Sequence, residues 1–114
     1  KGGEADAYFF ISSLIVTSHA QLVIDTARAK KLATMSQEQS LVVKGALASY
    51  GVSYHEAGRL SARYVQRILT GTSPKDLAVE TVRKLELVVN LRTAREIGLT
   101  IPQSVLYRAD RVIK

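Results

Sequence analysis

The segment at residues 84–102, KLELVVNLRTAREIGLTIP, constrains the fold most, because a strand, a turn and a helix all follow from it. Residues 85–89 form a mostly apolar run rich in β-branched side chains, which is typical of a strand buried on both faces. Asn90 follows at the position of a helix N-cap, where its side-chain oxygen can accept from a free backbone N–H. Gly98 favours a left-handed C-terminal cap and Pro102 lies shortly beyond it, so a strand followed directly by a short helix is predicted.

Strand-like and helix-like segments alternate along the rest of the chain. Strands are predicted at residues 5–11, 32–35, 46–50 and 85–89, helices at 15–31, 53–70, 91–97 and 102–113, and a helical turn at 40–44. This alternation predicts an α/β protein in which a parallel sheet is flanked by helices. The connection at residues 71–83 has thirteen residues, which is long for a compact domain, so we expect it to lead to another part of the protein.

The helix that begins at Ser53 is the best specified. Ser53 and Glu56 have the spacing of a capping box, in which each side chain bonds the backbone N–H of the other residue. Gly71 follows the helix at the position of a C-cap. Its predicted buried face consists of Ala57, Leu60, Ser61, Tyr64, Val65, Ile68 and Leu69.

The composition indicates one globular domain and excludes some classes of site and partner. Of the 114 residues, 46% are hydrophobic, 23% are charged and none is cysteine, which excludes disulfides and cysteine zinc sites. The net charge of +6 would suit a nucleic-acid partner. However, only Arg59, Arg63 and Arg67 form a basic row, with no accompanying aromatic or glycine pattern, so a solvated helix face is favoured. No nucleic-acid partner is therefore predicted, and a basic nucleic-acid-binding domain is the last of three alternatives.

No segment indicates a membrane span or a signal peptide. The longest apolar run, residues 8–16, is interrupted by Ser12 and Ser13 and is too short to cross a bilayer. The chain also opens abruptly, just before its first predicted strand, which favours a trimmed protein.

The residue patterns of common catalytic sites are missing. His19 and His55 are the only histidines and lie in no metal-binding spacing, and neither a P-loop, a GxSxG nor a GxGxxG motif occurs. The carboxylates are few and scattered, so none forms a catalytic pair. The sequence therefore predicts a binding module and not an enzyme, with no catalytic residue, metal or cofactor.

A ligand-binding edge can still be predicted. Right-handed crossovers bring the carboxyl ends of parallel strands to one edge of the sheet, and ligands of open α/β sheets bind outside that edge. The residues placed there are Ser12, Ser13, residues 36–38, Ser53 and Tyr54. Their hydroxyl and amide groups suit hydrogen bonding to a small ligand, although each could also be an ordinary cap or turn, as Ser53 already is.

A set of motifs from residue 45 to residue 113 resembles the C-terminal region of bacterial ABC-transporter substrate-binding proteins, a family whose better-understood members bind aromatic amino acids. The motifs are Tyr50-Gly51-Val52, Tyr54, Gly58, Arg67-Ile68-Leu69, Gly71, Pro74, Asp76-Leu77, Val79-Glu80, Asn90, Ile97-Gly98-Leu99-Thr100-Ile101-Pro102 and Arg108-Ala109-Asp110. Residues 1–44 match weakly, through ADAYFF. The combination is specific, whereas any single motif is not.

The resemblance implies a type I periplasmic-binding-protein fold, in which two α/β lobes hold a ligand between them. Residues 1–70 would be the core of the second lobe, residues 71–83 a hinge crossover, and residues 84–114 the terminal strand and helices, which would pack toward a first lobe absent from this chain. The implied ligand-binding residues are Ser12, Ser13, Gln37, Glu38, Ser53 and Tyr54. Residues 11–14 depart from the family's proline–polar–Asp–Asn turn, so amino-acid specificity is not carried over.

The implied function is solute capture for an ABC importer, in the periplasm or outside the cell, with or without a membrane anchor on the full-length protein. The partners would be a small organic ligand, such as an amino acid or a related solute, and an ABC permease. The alternative is a ligand-sensing domain of the same fold that acts on a signalling partner. An exposed edge of a four-stranded sheet could also pair two copies of this chain into a homodimer.

Overall fold

The alternation of strands and helices is confirmed by a computed structural model that describes residues 3–114. The elements in chain order are β1 (Ala7–Phe9), α1 (Leu14–Ser18), α2 (Ala20–Ala29), β2 (Ala33–Ser36), α3 (Gln39–Val43), β3 (Ala48–Val52), α4 (Tyr54–Leu69), a short 3-10 helix (Pro74–Asp76), β4 (Leu85–Asn90), α5 (Leu91–Ile97), α6 (Gln103–Arg108) and β5 (Arg111–Ile113).

The strands form one sheet in the order β1-β2-β3-β4-β5. The pairs β1–β2, β2–β3 and β4–β5 are parallel. The backbone N–H of Asn90, at the end of β4, donates to the carbonyl of Leu47, just before β3, at 2.8 Å. Thus β4 ends where β3 begins, and these two strands run in opposite directions. The sheet was predicted to be parallel, and the structure shows that it is mostly but not wholly so. Alternation in sequence cannot fix strand direction across a connection as long as residues 53–84, because the chain can return to either end of its neighbour.

The last predicted helix is too long, and the sequence analysis missed β5. Helix α6 ends at Arg108, and β5 pairs with β4 from Val88 and Arg111 onward. Asp110 fixes this pairing, since its carboxylate accepts from the backbone N–H of Leu87 at 2.8 Å and its own N–H donates to the Leu87 carbonyl at 2.9 Å. A strand of three residues is too short to produce a periodic pattern that the sequence could reveal.

Two other predicted elements have different bounds. The helix expected at residues 15–31 divides into α1 and α2 at His19, whose backbone leaves the helical region at φ −109° and ψ 13°. Strand β3 begins two residues later than expected, at Ala48 and not Ala46. The N–H of Ala46 is still bonded to the carbonyl of Leu41 at 2.9 Å, so this residue closes the turn after α3.

The described residues fall into two compact units, residues 3–51 with 86–114 and residues 52–85. In the first unit, the core lies on one face of β1–β3 and contains Phe10, Ala20, Ile24, Leu41 and Ala46. Burial of an aliphatic side chain such as Ile24 contributes about 1.5–3 kcal/mol, so this cluster holds α2 and α3 on the sheet.

The opposite face of β1–β3 is only partly covered. Phe9 and Met35 are paired in register on this face, and Tyr50 follows on β3 two residues after the partner of Met35. Their exposed fractions are 52%, 37% and 49%. Parallel sheets are usually buried on both faces, so this face is unusual in its exposure.

The second unit consists of α4 and the segment that follows it. The hydroxyl of Tyr64 donates to the carbonyl of Ala78, and Arg63 lies 3.9 Å from Glu80, so the segment runs back along the helix. The predicted buried face of α4 is wrong, because no residue of this helix is buried and Val65 and Leu69 are 54% and 81% exposed. One helix and one extended segment provide no second layer that could cover an apolar face.

Asn90 caps α5, as predicted from the sequence, and does more than cap it. Its Oδ1 accepts from the backbone N–H of Thr93 at 3.0 Å, while its Nδ2 donates to the carbonyl of Val42 at 3.1 Å. The hydroxyl of Thr93 donates to the carbonyl of Gly45 at 2.9 Å. Asn90 and Thr93 are both at most 1% exposed, so these buried bonds fasten α5 to the end of α3.

Replacing Asn90 by alanine should therefore lower the free energy of unfolding by about 2–4 kcal/mol, because it leaves the N–H of Thr93 and the carbonyl of Val42 unpaired in the core. Ser13→Ala is the matched control, since Ser13 caps α1 through an exposed bond to Val16 and its loss should cost only about 0.5–1 kcal/mol. Urea denaturation of the two variants measures the difference. Equal losses would show that Asn90 is no more than an ordinary cap.

Candidate functional site

The first unit brings four of the predicted site residues to one edge of the sheet. Ser12 and Ser13 follow β1, and Gln37 and Glu38 follow β2. Because β1 and β2 are parallel neighbours, the segments that follow them lie at the same edge. We call residues 11–15, 37–38 and 50–51 the carboxyl edge.

The two serines after β1 have different roles. The hydroxyl of Ser13 accepts from the backbone N–H of Val16 at 3.3 Å and so caps α1. The hydroxyl oxygen of Ser12 is buried and has no hydrogen-bond partner among the described residues. A buried unpaired hydroxyl costs about 1–3 kcal/mol, so a water molecule or a ligand that bonded it would be stabilised. Ser13 is therefore a structural cap, whereas Ser12 retains an unused hydrogen-bonding group.

The turn after β2 is held by Ser36. Its hydroxyl donates to the carbonyl of Glu38 at 2.8 Å and accepts from the N–H of the same residue at 3.3 Å. Ser36 is fully buried, so it fixes the backbone of Glu38 from within the sheet. The carboxylate of Glu38 accepts from the hydroxyl of Ser40 at 3.3 Å in an exposed bond, and Gln37 is exposed as well. Glu38 is thus held in place, and Gln37 lies open to solvent beside it.

Gly51 supports the same turn and was not predicted as a site residue. A Cβ atom at this position would lie 2.1 Å from the carbonyl oxygen of Gln37, which is far inside van der Waals contact. Only glycine therefore lets the backbone of Gln37 approach β3 so closely. A glycine inside a strand pattern is the sequence signal for such an approach.

Ser53 and Tyr54 belong to the second unit. Ser53 is 2% exposed, and its hydroxyl accepts from the N–H of Glu56 at 3.4 Å, as a cap should. The second half of the predicted capping box is replaced, because the N–H of Ser53 donates to the carbonyl of Lys84 at 3.4 Å and the Glu56 carboxylate accepts from Arg59 at 3.2 Å. Tyr54 is 60% exposed at the first position of α4. Ser53 is thus occupied structurally, and Tyr54 is accessible.

Apolar side chains accompany the polar groups of the carboxyl edge. Ile11, Leu14 and Ile15 are 70%, 88% and 77% exposed. Exposed aliphatic groups close to hydroxyl, amide and carboxylate groups are the usual lining of a small-molecule site.

Residues 3–114 contain neither a cluster of metal ligands nor a helix that could span a membrane. Within this range no group of three or more His, Cys, Asp or Glu residues is placed to hold a metal ion. No helix in the same range is long and apolar enough to cross a membrane.

Comparisons of this chain with known proteins agree on one family. The model of a family described as ABC transporter substrate binding protein matches residues 2–113. A tyrosine-binding protein of Clostridioides difficile is 25% identical over 97 residues, which are 85% of this chain and 28% of that relative. The chain thus spans less than a third of the length of this relative.

Solved structures of similar fold are also longer than this chain. A conserved domain protein from Vibrio cholerae matches with a TM-score of 0.85 and 33% identity, over 96% of this chain and 37% of its own. An ABC domain from Streptococcus pneumoniae, in complex with L-Trp, matches with a TM-score of 0.85 and 28% identity, over the same 96% and 37%. The ligand-free, open structure of an adhesive substrate-binding protein from Clostridium difficile has a TM-score of 0.71 and 26% identity, over 98% and 37%.

Gly51→Ala should lower the free energy of unfolding by about 1–3 kcal/mol, because the new methyl group forces the backbone of Gln37 away from β3. Gly58→Ala is the control, since a Cβ there meets no atom within 4 Å and alanine should stabilise α4 by about 0.5–1 kcal/mol. Chemical denaturation of both variants gives the comparison. If Gly51→Ala were as stable as the wild type, the close packing of the turn on β3 would be refuted.

Proposed function

The chain belongs to the family of ABC transporter substrate-binding proteins, and we propose that it forms most of one lobe of a two-lobed protein that captures a small organic solute for an ABC importer. The solute would lie between the lobes, and hinge closure would bury it. A permease would then recognise the closed form. Such proteins act in the periplasm or outside the cell, which is where we propose this one acts.

The observation that supports this proposal most is that the carboxyl edge combines a fixed backbone with polar groups that are unpaired or exposed. Its backbone is fixed by a buried serine, Ser36, and by the close approach of Gly51 to Gln37. The hydroxyl oxygen of Ser12 is nevertheless buried without a partner among residues 3–114, and Gln37 is open to solvent. A rigid backbone that carries unsatisfied polar groups is what a binding site requires, because little ordering remains to be done when the ligand arrives.

The properties of the second unit support a two-lobed arrangement. Its helix α4 exposes Val65, Ile68 and Leu69, which are 54%, 41% and 81% accessible. An apolar row of this kind is typical of a helix that packs on a further layer of protein. We propose that the first lobe supplies that layer, that residues 71–83 are the hinge crossover, and that residues 84–114, the terminal strand and helices, also pack toward that first lobe.

The relatives indicate a class of ligand for this chain but do not identify the compound. One of them is named as tyrosine-binding and another was solved with L-Trp. We therefore propose an amino acid or a related small solute, with L-tryptophan and L-tyrosine as the first compounds to test. In the first unit, Ser12, Gln37 and Glu38 are the side chains proposed to contact a ligand, and Ser13 would contribute through the cap that it forms. In the second unit, Tyr54 is the proposed contact, and Ser53 would contribute through its cap.

The full-length protein should bind one of these amino acids, and residues 1–114 alone should bind it at least about 100-fold more weakly, because one wall of a cleft provides only part of the contacts and a tenfold loss corresponds to about 1.4 kcal/mol. Isothermal titration calorimetry of both proteins measures the ratio.

A thermal-shift panel of amino acids, peptides, nucleosides and small acids serves as the control for ligand identity. The proposal is wrong if no compound stabilises the full-length protein. It is also wrong if the shorter chain binds as tightly as the full-length protein.

A further inference from the structure

The positive charge of the chain is concentrated in its second unit. Residues 52–85 contain six basic and three acidic residues, whereas basic and acidic residues are equal in number within 3–51. All six basic residues are exposed, and four of them are arginines. They are Arg59, Arg63, Arg67, Lys75, Arg83 and Lys84. An exposed surface with this excess of positive charge attracts an anionic partner.

The fold gathers the four arginines into one patch. Arg59, Arg63 and Arg67 are spaced by four residues and so form a row along α4. The segment that follows α4 runs back along the helix and adds Arg83 to this row, because Arg63 and Arg83 line the same groove of about 170 Å³. Arg59 and Arg63 together line a neighbouring depression. We call Arg59, Arg63, Arg67 and Arg83 the arginine patch.

The acidic residues of the unit neutralise this patch only in part. Glu56 accepts a bond from Arg59 at 3.2 Å, and Glu80 lies 3.9 Å from Arg63. Within residues 3–114, no carboxylate lies within 4.0 Å of the two other arginines of the patch. Exposed ion pairs such as these two are weak, so the arginines that form them can also bind a further anion.

The arginine row and the apolar row of α4 lie on opposite sides of the helix. Val65 and Leu69 follow Arg63 and Arg67 by two residues, which is a rotation of about 200° around a helix. A first lobe that covers the apolar row, as proposed above, would therefore leave the arginine row facing outward.

We propose that the arginine patch binds the anionic headgroups of a phospholipid membrane and holds the protein close to that surface. Guanidinium groups bind phosphate in a bidentate manner, and the groove between Arg63 and Arg83 has room for such a group. A fluid lipid surface adapts to a row of long side chains on a convex helix, whereas an acidic protein or a nucleic acid needs a matching set of contacts. This inference goes beyond the solute-binding function and rests on it only for the position of the protein beside a membrane.

Co-sedimentation with vesicles of phosphatidylcholine that contain about 30% phosphatidylglycerol tests the proposal. We expect the full-length protein, produced without any lipid anchor, to bind these vesicles at least about tenfold more tightly than pure phosphatidylcholine at low salt. The difference should shrink as the salt concentration rises. In Arg59→Gln/Arg63→Gln/Arg67→Gln the affinity for the anionic vesicles should fall at least about tenfold, because each basic residue near an anionic surface is worth roughly fivefold.

Lys30→Gln/Lys31→Gln/Lys44→Gln is the matched control, because it removes the same charge from exposed positions of the first unit. Its affinity for the anionic vesicles should change by less than about threefold. The arginine variant should keep the solute affinity of the wild type, which separates membrane binding from solute binding. Vesicle binding is measured without solute, so anionic vesicles that bind a protein without solute affinity would support the patch and contradict only the solute-binding function.

Equal binding to the two kinds of vesicle would overturn the proposal. Equal losses in the two triple variants would do the same, since they would show an effect of net charge alone. Displacement by about 5 mM inorganic phosphate at matched ionic strength would mean that the patch holds free phosphate and not lipid. Tighter binding of poly-glutamate or of a DNA duplex than of the anionic vesicles would assign the patch to a protein or a nucleic acid instead.

Discussion

The buried hydrogen bonds of Asn90 are the interaction on which the rest of the first unit depends. One side chain satisfies an N–H in the first turn of α5 and, at the same time, the carbonyl of Val42 near the end of α3. Its backbone N–H continues the sheet to Leu47. The start of α5 and the distant α3–β3 segment therefore meet at one residue, and the cost of leaving any of these groups unpaired in the core gives the arrangement its specificity. The direction of β4 follows from it, since β4 must end beside the start of β3.

The polar groups at the end of β4 and those at the carboxyl edge of the sheet differ in their hydrogen bonding. At the end of β4, the polar groups of Asn90 and Thr93 are bonded within the protein. At the carboxyl edge the backbone is equally fixed, through Ser36 and Gly51, but the hydroxyl of Ser12 has no partner among the described residues. A protein that stabilises one edge completely can leave the other edge for a ligand, which is the division of roles that we propose for this chain.

The sequence predicted those features that depend on a few neighbouring residues. The cap at Asn90, the left-handed Gly98 at φ 79° and the cap at Ser53 were all predicted correctly, because each is a local arrangement of backbone and one side chain. The direction of β4 and the pairing of β5 could not be predicted, because both depend on contacts between distant segments. The buried face of α4 was predicted wrongly, because periodicity indicates which side of a helix is apolar and not whether another layer covers it.

The sequence predicted the candidate site only in part, again because contacts between distant segments cannot be read from it. The strand order indicated which residues follow β1 and β2, but it could not separate Ser12 from Ser13, whose roles differ through one hydrogen bond. Gly51 was part of a family motif but was not predicted as a site residue, since the neighbour that it approaches is known only from the folded chain. The structure is therefore needed to distinguish a serine that caps a helix at such an edge from one that can bind a ligand.

We propose above all that this chain forms one wall of a solute site through its carboxyl edge. A crystal structure of the full-length protein with its bound solute tests this claim most directly. We expect solute atoms within hydrogen-bonding distance, about 3 Å, of Ser12 or Glu38, with apolar atoms of the solute against Ile11 or Leu14. A solute bound in full occupancy without contact to residues 11–15 or 37–38 would contradict it.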